Sequence, residues 1–221
     1  MALGVKALVW LLSLLTLFLP AGTLAWPAGW IFFSTFFGFV LFLSGWLLRT
    51  NASLLEERLT LLRRGQPFWD KVWLLGFYLL SLAWLALMPL DAVRWRWSLM
   101  PLWAACVGTL FLLGALAGIF VTIRENHSLS PVVRLQSERG HQVISSGPYA
   151  MVRHPLSSSA FLFYAGVPLL LGSWYGFACT PIFIGLLFVR AMLEERMLQN
   201  ELPGYNAYMR QVTYRFIPHV W

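Results

Sequence analysis

Charge is what this chain has least of. Only 11% of its 221 residues are acidic or basic, against 59% hydrophobic, which leaves too little polar surface to solvate a globule of this size. A soluble domain is thereby excluded and the chain belongs in a bilayer. Acidic side chains are the scarcer sign, nine against sixteen Lys and Arg. Cysteine is nearly absent: Cys106 and Cys179 each lie inside an apolar run and read as lipid-packing residues, not as a disulfide or metal pair. His127, His141 and His154 lack metal-ligand spacing, so no metal is expected. Internal repeats and low-complexity tracts are missing, as is any stretch that reads as a separate soluble domain. No basic patch with base-stacking aromatics stands clear of the apolar runs, which argues against nucleic acid as a partner. The net charge of +7 then belongs to a membrane surface, where it attracts anionic lipid headgroups.

What the chain has instead is long uncharged runs. There are 42 residues between Lys6 and Arg49, 19 between Lys71 and Asp91, 27 between Arg96 and Arg124, and 35 from Pro155 to Val189. About 20 apolar residues span the hydrocarbon core. The first run is expected to fold back near Pro20-Ala21-Gly22 and Trp26-Pro27, and the last near Gly172-Ser173-Trp174, because a straight 35-residue helix would reach about 52 Å. This predicts an all-α, polytopic integral membrane protein of about six membrane helices, the last two a short hairpin. Fourteen cations then fall on one face and only Arg94 and Arg96 on the other, which places both termini in the cytoplasm. A cleaved leader ending near Thr23-Leu24-Ala25 is disfavoured because a second hydrophobic span follows at once.

Between the runs lie interfacial elements. Trp26, Trp30, Trp69, Trp73, Trp95, Trp97 and Trp103 fall near span ends and read as headgroup-level anchors. Leu54, Leu55, Leu59 and Leu62 recur at helical spacing beside Glu56, Glu57, Arg58, Arg63 and Arg64, which predicts an amphipathic helix near residues 51–65 on the cytoplasmic interface. The chain divides at residue 123: N-terminal membrane helices over 1–123, then a catalytic region over 124–221 made of a loop, a helical hairpin and a cytoplasmic tail. The loop from Arg124 to Pro155 is too polar to span and long enough to be functional. The tail opens with helix formers from Arg190 to Glu201, stops at Pro203-Gly204, and continues with Tyr205, Tyr208, Tyr214, Phe216 and Trp221, too apolar to stay off the membrane face.

The hairpin has a chemical consequence. Its return brings Arg190, Glu194 and Glu195 to the side that carries Arg153 and His154, and polar groups packed at the ends of a membrane segment mark a functional site. Each has a plainer reading: Arg153 as an interfacial cation, Arg190 and Glu194 as a surface ion pair at i, i+4, Pro148 as a turn former, and Pro155 as a helix starter.

Gly147-Pro148-Tyr149, Arg153-His154-Pro155, the Gly172-Ser173-Trp174 turn, Arg190 with Glu194-Glu195, Tyr205 with Tyr208, and Arg215 before Ile217-Pro218 together form a pattern over about Glu125 to Pro218. It resembles the integral-membrane methyltransferases typified by isoprenylcysteine carboxyl methyltransferase, and the related phospholipid N-methyltransferases. The resemblance implies an S-adenosylmethionine site at the cytoplasmic membrane face, formed by the loop and tail. Tyr149, Arg153, His154 and Pro155 would line it, and Glu194 and Glu195 would close it. It also implies catalytic parts for Arg190, near the substrate end, and Glu194, with Ser157, Tyr205 and Tyr208 in the substrate pocket. An arginine and a histidine suit the cofactor's carboxylate, and glutamates its ammonium and sulfonium. Methyl transfer needs alignment more than a protein nucleophile. Where the family has tyrosine and glycine after His-Pro, this chain has Ser157 and Ser159, which would reshape the pocket or serve close helix packing.

The expected partner is a lipophilic acceptor entering from the bilayer. A prenylcysteine-like carboxylate is slightly favoured because Arg190 offers it a cation, while a phospholipid amine would use Glu194 or Glu195 as base. The rival readings are an NADPH-dependent reductase of the sterol type, for which the chain is short, and a non-enzymatic scaffold or transporter subunit.

Overall fold

A computed structural model describes residues 2–59, 66–126 and 143–220. Among these the protein is all-helical. Helix α1 (Ala2–Ala21) ends at Gly22, whose φ of +71° suits the turn, and α2 (Pro27–Thr50) opens on a proline that needs no N–H partner. Both breaks fall where Pro20-Ala21-Gly22 and Trp26-Pro27 predicted them. Asn51 ends α2, and its Oδ1 accepts from the Leu54 N–H at 3.0 Å to start α3 (Ala52–Leu59). Leu54 and Leu55 bury α3 against Leu47 and Ile123. The rest of the amphipathic stretch predicted over 51–65 lies outside the described residues, as do most of the Arg124–Pro155 loop, His127 and His141.

Next come α4 (Phe68–Pro89), which continues as a π-turn over Leu90–Arg94, and α5 (Leu102–Glu125). After a 3-10 turn over Gly147–Ala150 the chain forms α6 (Pro155–Leu171), α7 (Trp174–Ala178), α8 (Thr180–Glu201) and α9 (Tyr205–Gln211). Four stretches are long and apolar enough to cross a membrane: Pro27–Thr50, Phe68–Arg94, Leu102–Glu125 and Trp174–Glu201. The apolar α6, of 17 residues, is shorter.

Two features hold the last hairpin. At its turn, Gly172 adopts φ +84°, and the buried carboxylate of Asp91 accepts from Ser173 Oγ at 2.6 Å and Ser98 Oγ at 2.7 Å. Ser98 Oγ in turn accepts from the Trp174 N–H at 2.9 Å. Within the layer, Tyr164 of α6 stacks on Phe183 of α8 with ring centroids 4.3 Å apart, and Trp84 of α4 closes on Phe183 at 5.0 Å. Helix α6 also lies close along α5. A Cβ on Gly166 would meet Gly108 O at 2.8 Å, and one on Gly118 would run into Ser159 Oγ. Small residues allow this approach, which gains dispersion energy where lipid offers no hydrophobic force between helices. Of the expected tryptophan anchors, Trp95, Trp97 and Trp103 are exposed, but Trp26 is buried against Gly29 and Phe18, and Trp73 stacks on Phe77.

Candidate active site

The site forms where the polar ends of α5, α6 and α8 meet the tail. Gly147, at φ +56°, packs beside Glu125, whose Oε1 accepts from Ser146 Oγ, while Asn126 Nδ2 donates to Tyr149 OH at 3.0 Å. The end of α5 therefore holds the Gly-Pro-Tyr turn. Past that turn the tail runs beside the chain: the Arg153 and His154 N–H groups donate to Tyr214 O and Arg215 O at 3.0 and 2.9 Å. Ser158 Oγ donates to Phe216 O at 2.6 Å, and the Phe216 ring packs on His154, Phe161 and Phe188. Thus the described part of the aromatic tail folds back onto the start of α6, while Trp221 lies outside the described residues.

Glu195 lies at the centre, its side chain 5% exposed. Its Oε1 accepts from Arg153 Nε at 2.7 Å and lies 3.1 Å from His154 Nε2, and its Oε2 accepts from Arg215 Nε at 3.0 Å. Arg153 Nη1 also donates to Val212 O at 3.2 Å. A buried carboxylate is tolerable only with such partners. The hairpin does bring Glu195 to Arg153 and His154, but the second arginine of the cluster is Arg215, present in the sequence pattern and given no role there.

Arg190 goes elsewhere. Its Nη2 pairs with Asp70 Oδ1 at 3.3 Å, and its guanidinium lies over the Trp73 ring at 4.6 Å. Asp70, at the start of α4, is fully buried and also accepts from Gln66 Nε2 at 2.8 Å. Sequence reasoning passed over Asp70 because it stands alone at the head of a hydrophobic run. Glu194, one residue before Glu195, is half-buried, and among the described residues no hydrogen bond or ion pair engages it.

Tyrosines wall this region. Tyr205 and Tyr208 are buried with Leu202 and Val212, and Tyr208 OH donates to Tyr149 O at 2.8 Å. Burial pushes the Tyr208 phenol up to about 12, opposed by Arg153 and reinforced by Glu195. Burial also raises Tyr149, with Asn126 opposing and Glu194 adding, and raises Tyr205, with Glu195 and Glu194 adding. Glu194 is thus electrostatically close to Tyr149 and Tyr205. Arg58 of α3 belongs to the same neighbourhood: burial pulls its guanidinium down, and the nearby Tyr149 counteracts this. Pro155 is buried at the first position of α6, and Ser157 is half-buried in its first turn. Ser159 is buried, its Oγ donating to Pro155 O at 2.9 Å while it packs on Gly118, which is the helix-packing role for that serine.

Residues 103–203 match the family model described as phospholipid methyltransferase. The match runs from α5 through α8 and takes in Tyr149, Arg153, His154, Pro155, Glu194 and Glu195, with Tyr205, Tyr208 and Arg215 just beyond it. No curated protein matches the chain.

Proposed function

We propose, from the match of residues 103–203 to the phospholipid methyltransferase family model, that the protein transfers a methyl group from S-adenosylmethionine to the amine headgroup of a membrane lipid. The observation that carries this reading is Glu194, a half-buried carboxylate within electrostatic range of Tyr149 and Tyr205 and with no ion pair among the described residues. An uncompensated carboxylate in a partly dehydrated site favours a cation.

The residues suit the proposed methyl donor. Glu194 offers a negative charge to an ammonium or sulfonium. Arg153 and Arg215 gather two guanidinium groups at Glu195, and their forked N–H donors suit the donor's own carboxylate. When bound, S-adenosylmethionine supplies an electrophilic methyl group. The protein's part is then to align acceptor and donor and to exclude water, with the buried tyrosines as walls. Glu194 is also the base proposed to take the proton from an ammonium headgroup.

The sequence-based preference for a prenylcysteine carboxylate rested on Arg190 as its counter-cation. That charge is met by Asp70, so the preference loses its ground, and the family match speaks equally for a phospholipid. We place the site and both termini at the cytoplasmic face on the distribution of basic residues.

The test is incubation of purified protein in vesicles with methyl-labelled S-adenosylmethionine. Label in the headgroup of phosphatidylethanolamine is expected. Label confined to a prenylcysteine ester would overturn the choice of acceptor. Binding of NADPH without binding of S-adenosylmethionine would favour a reductase, and binding of neither would favour a scaffold.

A further inference from the structure

The Arg190–Asp70 pair does more than join two helices. On α8, Arg190 and Glu194 stand four residues apart on one face, where a cation and a carboxylate ordinarily meet. Here the guanidinium turns instead to α4, onto Asp70 Oδ1 at 3.3 Å and over Trp73 at 4.6 Å. Gln66 Nε2 holds the other Asp70 oxygen at 2.8 Å, so the carboxylate is fixed in direction as well as buried. Water cannot screen a fully buried acid, so its attraction for Arg190 exceeds that of the half-buried, better-solvated Glu194.

We propose that Asp70 is a positioning residue: by holding Arg190 against α4, it keeps this guanidinium off the Glu194 carboxylate, which no ion pair engages among the described residues, and leaves it open to the cation of the methyl donor. This rests on the reading of Glu194 given above and extends it to a residue outside the family-matched segment. With Asp70 neutral, Arg190 loses its stronger partner and returns to Glu194. The protein's own guanidinium then competes with the ligand for one charge.

The experiment measures S-adenosylmethionine affinity by titration calorimetry on the purified full chain in nanodiscs. Asp70→Asn is expected to weaken binding roughly tenfold, the scale of one cation–carboxylate contact in a partly hydrated site. The double variant Asp70→Asn with Arg190→Gln removes the competitor as well and is expected to return to within about twofold of the unsubstituted protein. A merely structural role for Asp70 predicts no such recovery. Unchanged affinity in Asp70→Asn, or a loss that the double variant keeps, overturns this inference alone. Should Asp70→Asn fail to fold, the double variant decides: native affinity supports the inference and lost affinity overturns it. If the unsubstituted protein does not bind S-adenosylmethionine, the proposed function falls and takes this inference with it.

Discussion

Glu194 and Glu195 are neighbours of the same type, yet their surroundings give them opposite properties. Glu195 touches Arg153, His154 and Arg215, so its removal strands buried positive charge. Glu195→Ala is expected to destabilise the protein by about 3 kcal/mol, at the low end for a broken buried pair because Arg215 is partly hydrated; thermal unfolding in detergent measures it. Glu194→Gln, by contrast, should move stability by less than about 0.5 kcal/mol while weakening S-adenosylmethionine binding. Equal stability losses in the two variants would contradict this division. The sequence pattern located both glutamates and implied a catalytic part for Glu194, but it did not show which of the two meets the arginines. Successive helix residues point about 100° apart, and which one meets the arginines depends on a tail whose path no local signal specifies. Tyr208 adds a pH dependence at this scale. Its phenol is held at about 12, whereas an unfolded tyrosine ionises near about 10. Above pH 10 the unfolded chain releases a proton that the folded protein keeps. The contribution is therefore complete below pH 10 and is lost as pH rises through 12. Tyr208→Phe should flatten the fall in unfolding temperature over that interval.

At the scale of elements, the helix ends were the most readable part of the chain. Proline at the first position of α2 and α6, and glycine with positive φ after α1 and α6, are local steric requirements written in single residues. The pairing of helices was less readable, because small residues are scattered through every span and only some meet a partner. Gly108 and Gly166 do, while Gly45, Gly76 and Gly185 have nothing within 4 Å of a Cβ. Gly166→Leu should therefore separate α5 from α6, costing about 3 kcal/mol or more from overpacking against backbone, and with it the attachment of the Gly147–Ala150 turn. Gly185→Ala should be neutral or slightly stabilising, since alanine is the better helix former. Comparable loss of folded protein from both variants would refute the close crossing as the basis of this pairing.

Across the whole molecule, the family-matched segment is not self-sufficient. Asp70 of α4 pairs with Arg190, and Arg58 of α3 lies within electrostatic range of Tyr149, although neither helix belongs to that segment. No spacing rule connects them, because the link exists only after the helices pack. Orientation is the remaining global property, and the proposal for it rests on charge: the topology read from the sequence assigns fourteen cations to the side of Arg153 and Glu195 and two to the side of Asp91 and Gly172. Two exposed positions near opposite ends of the bundle test it, Leu99 at 85% exposure and Met151 at 61%. In a chain with Cys106 and Cys179 replaced by alanine, Leu99→Cys should react with a membrane-impermeant thiol reagent in intact cells. Met151→Cys should react only after permeabilisation. The reverse pattern would move the glutamates and their ligand to the outer face, where a cytoplasmic methyl donor could not reach them, and would remove the proposed reaction whatever the local geometry of the site.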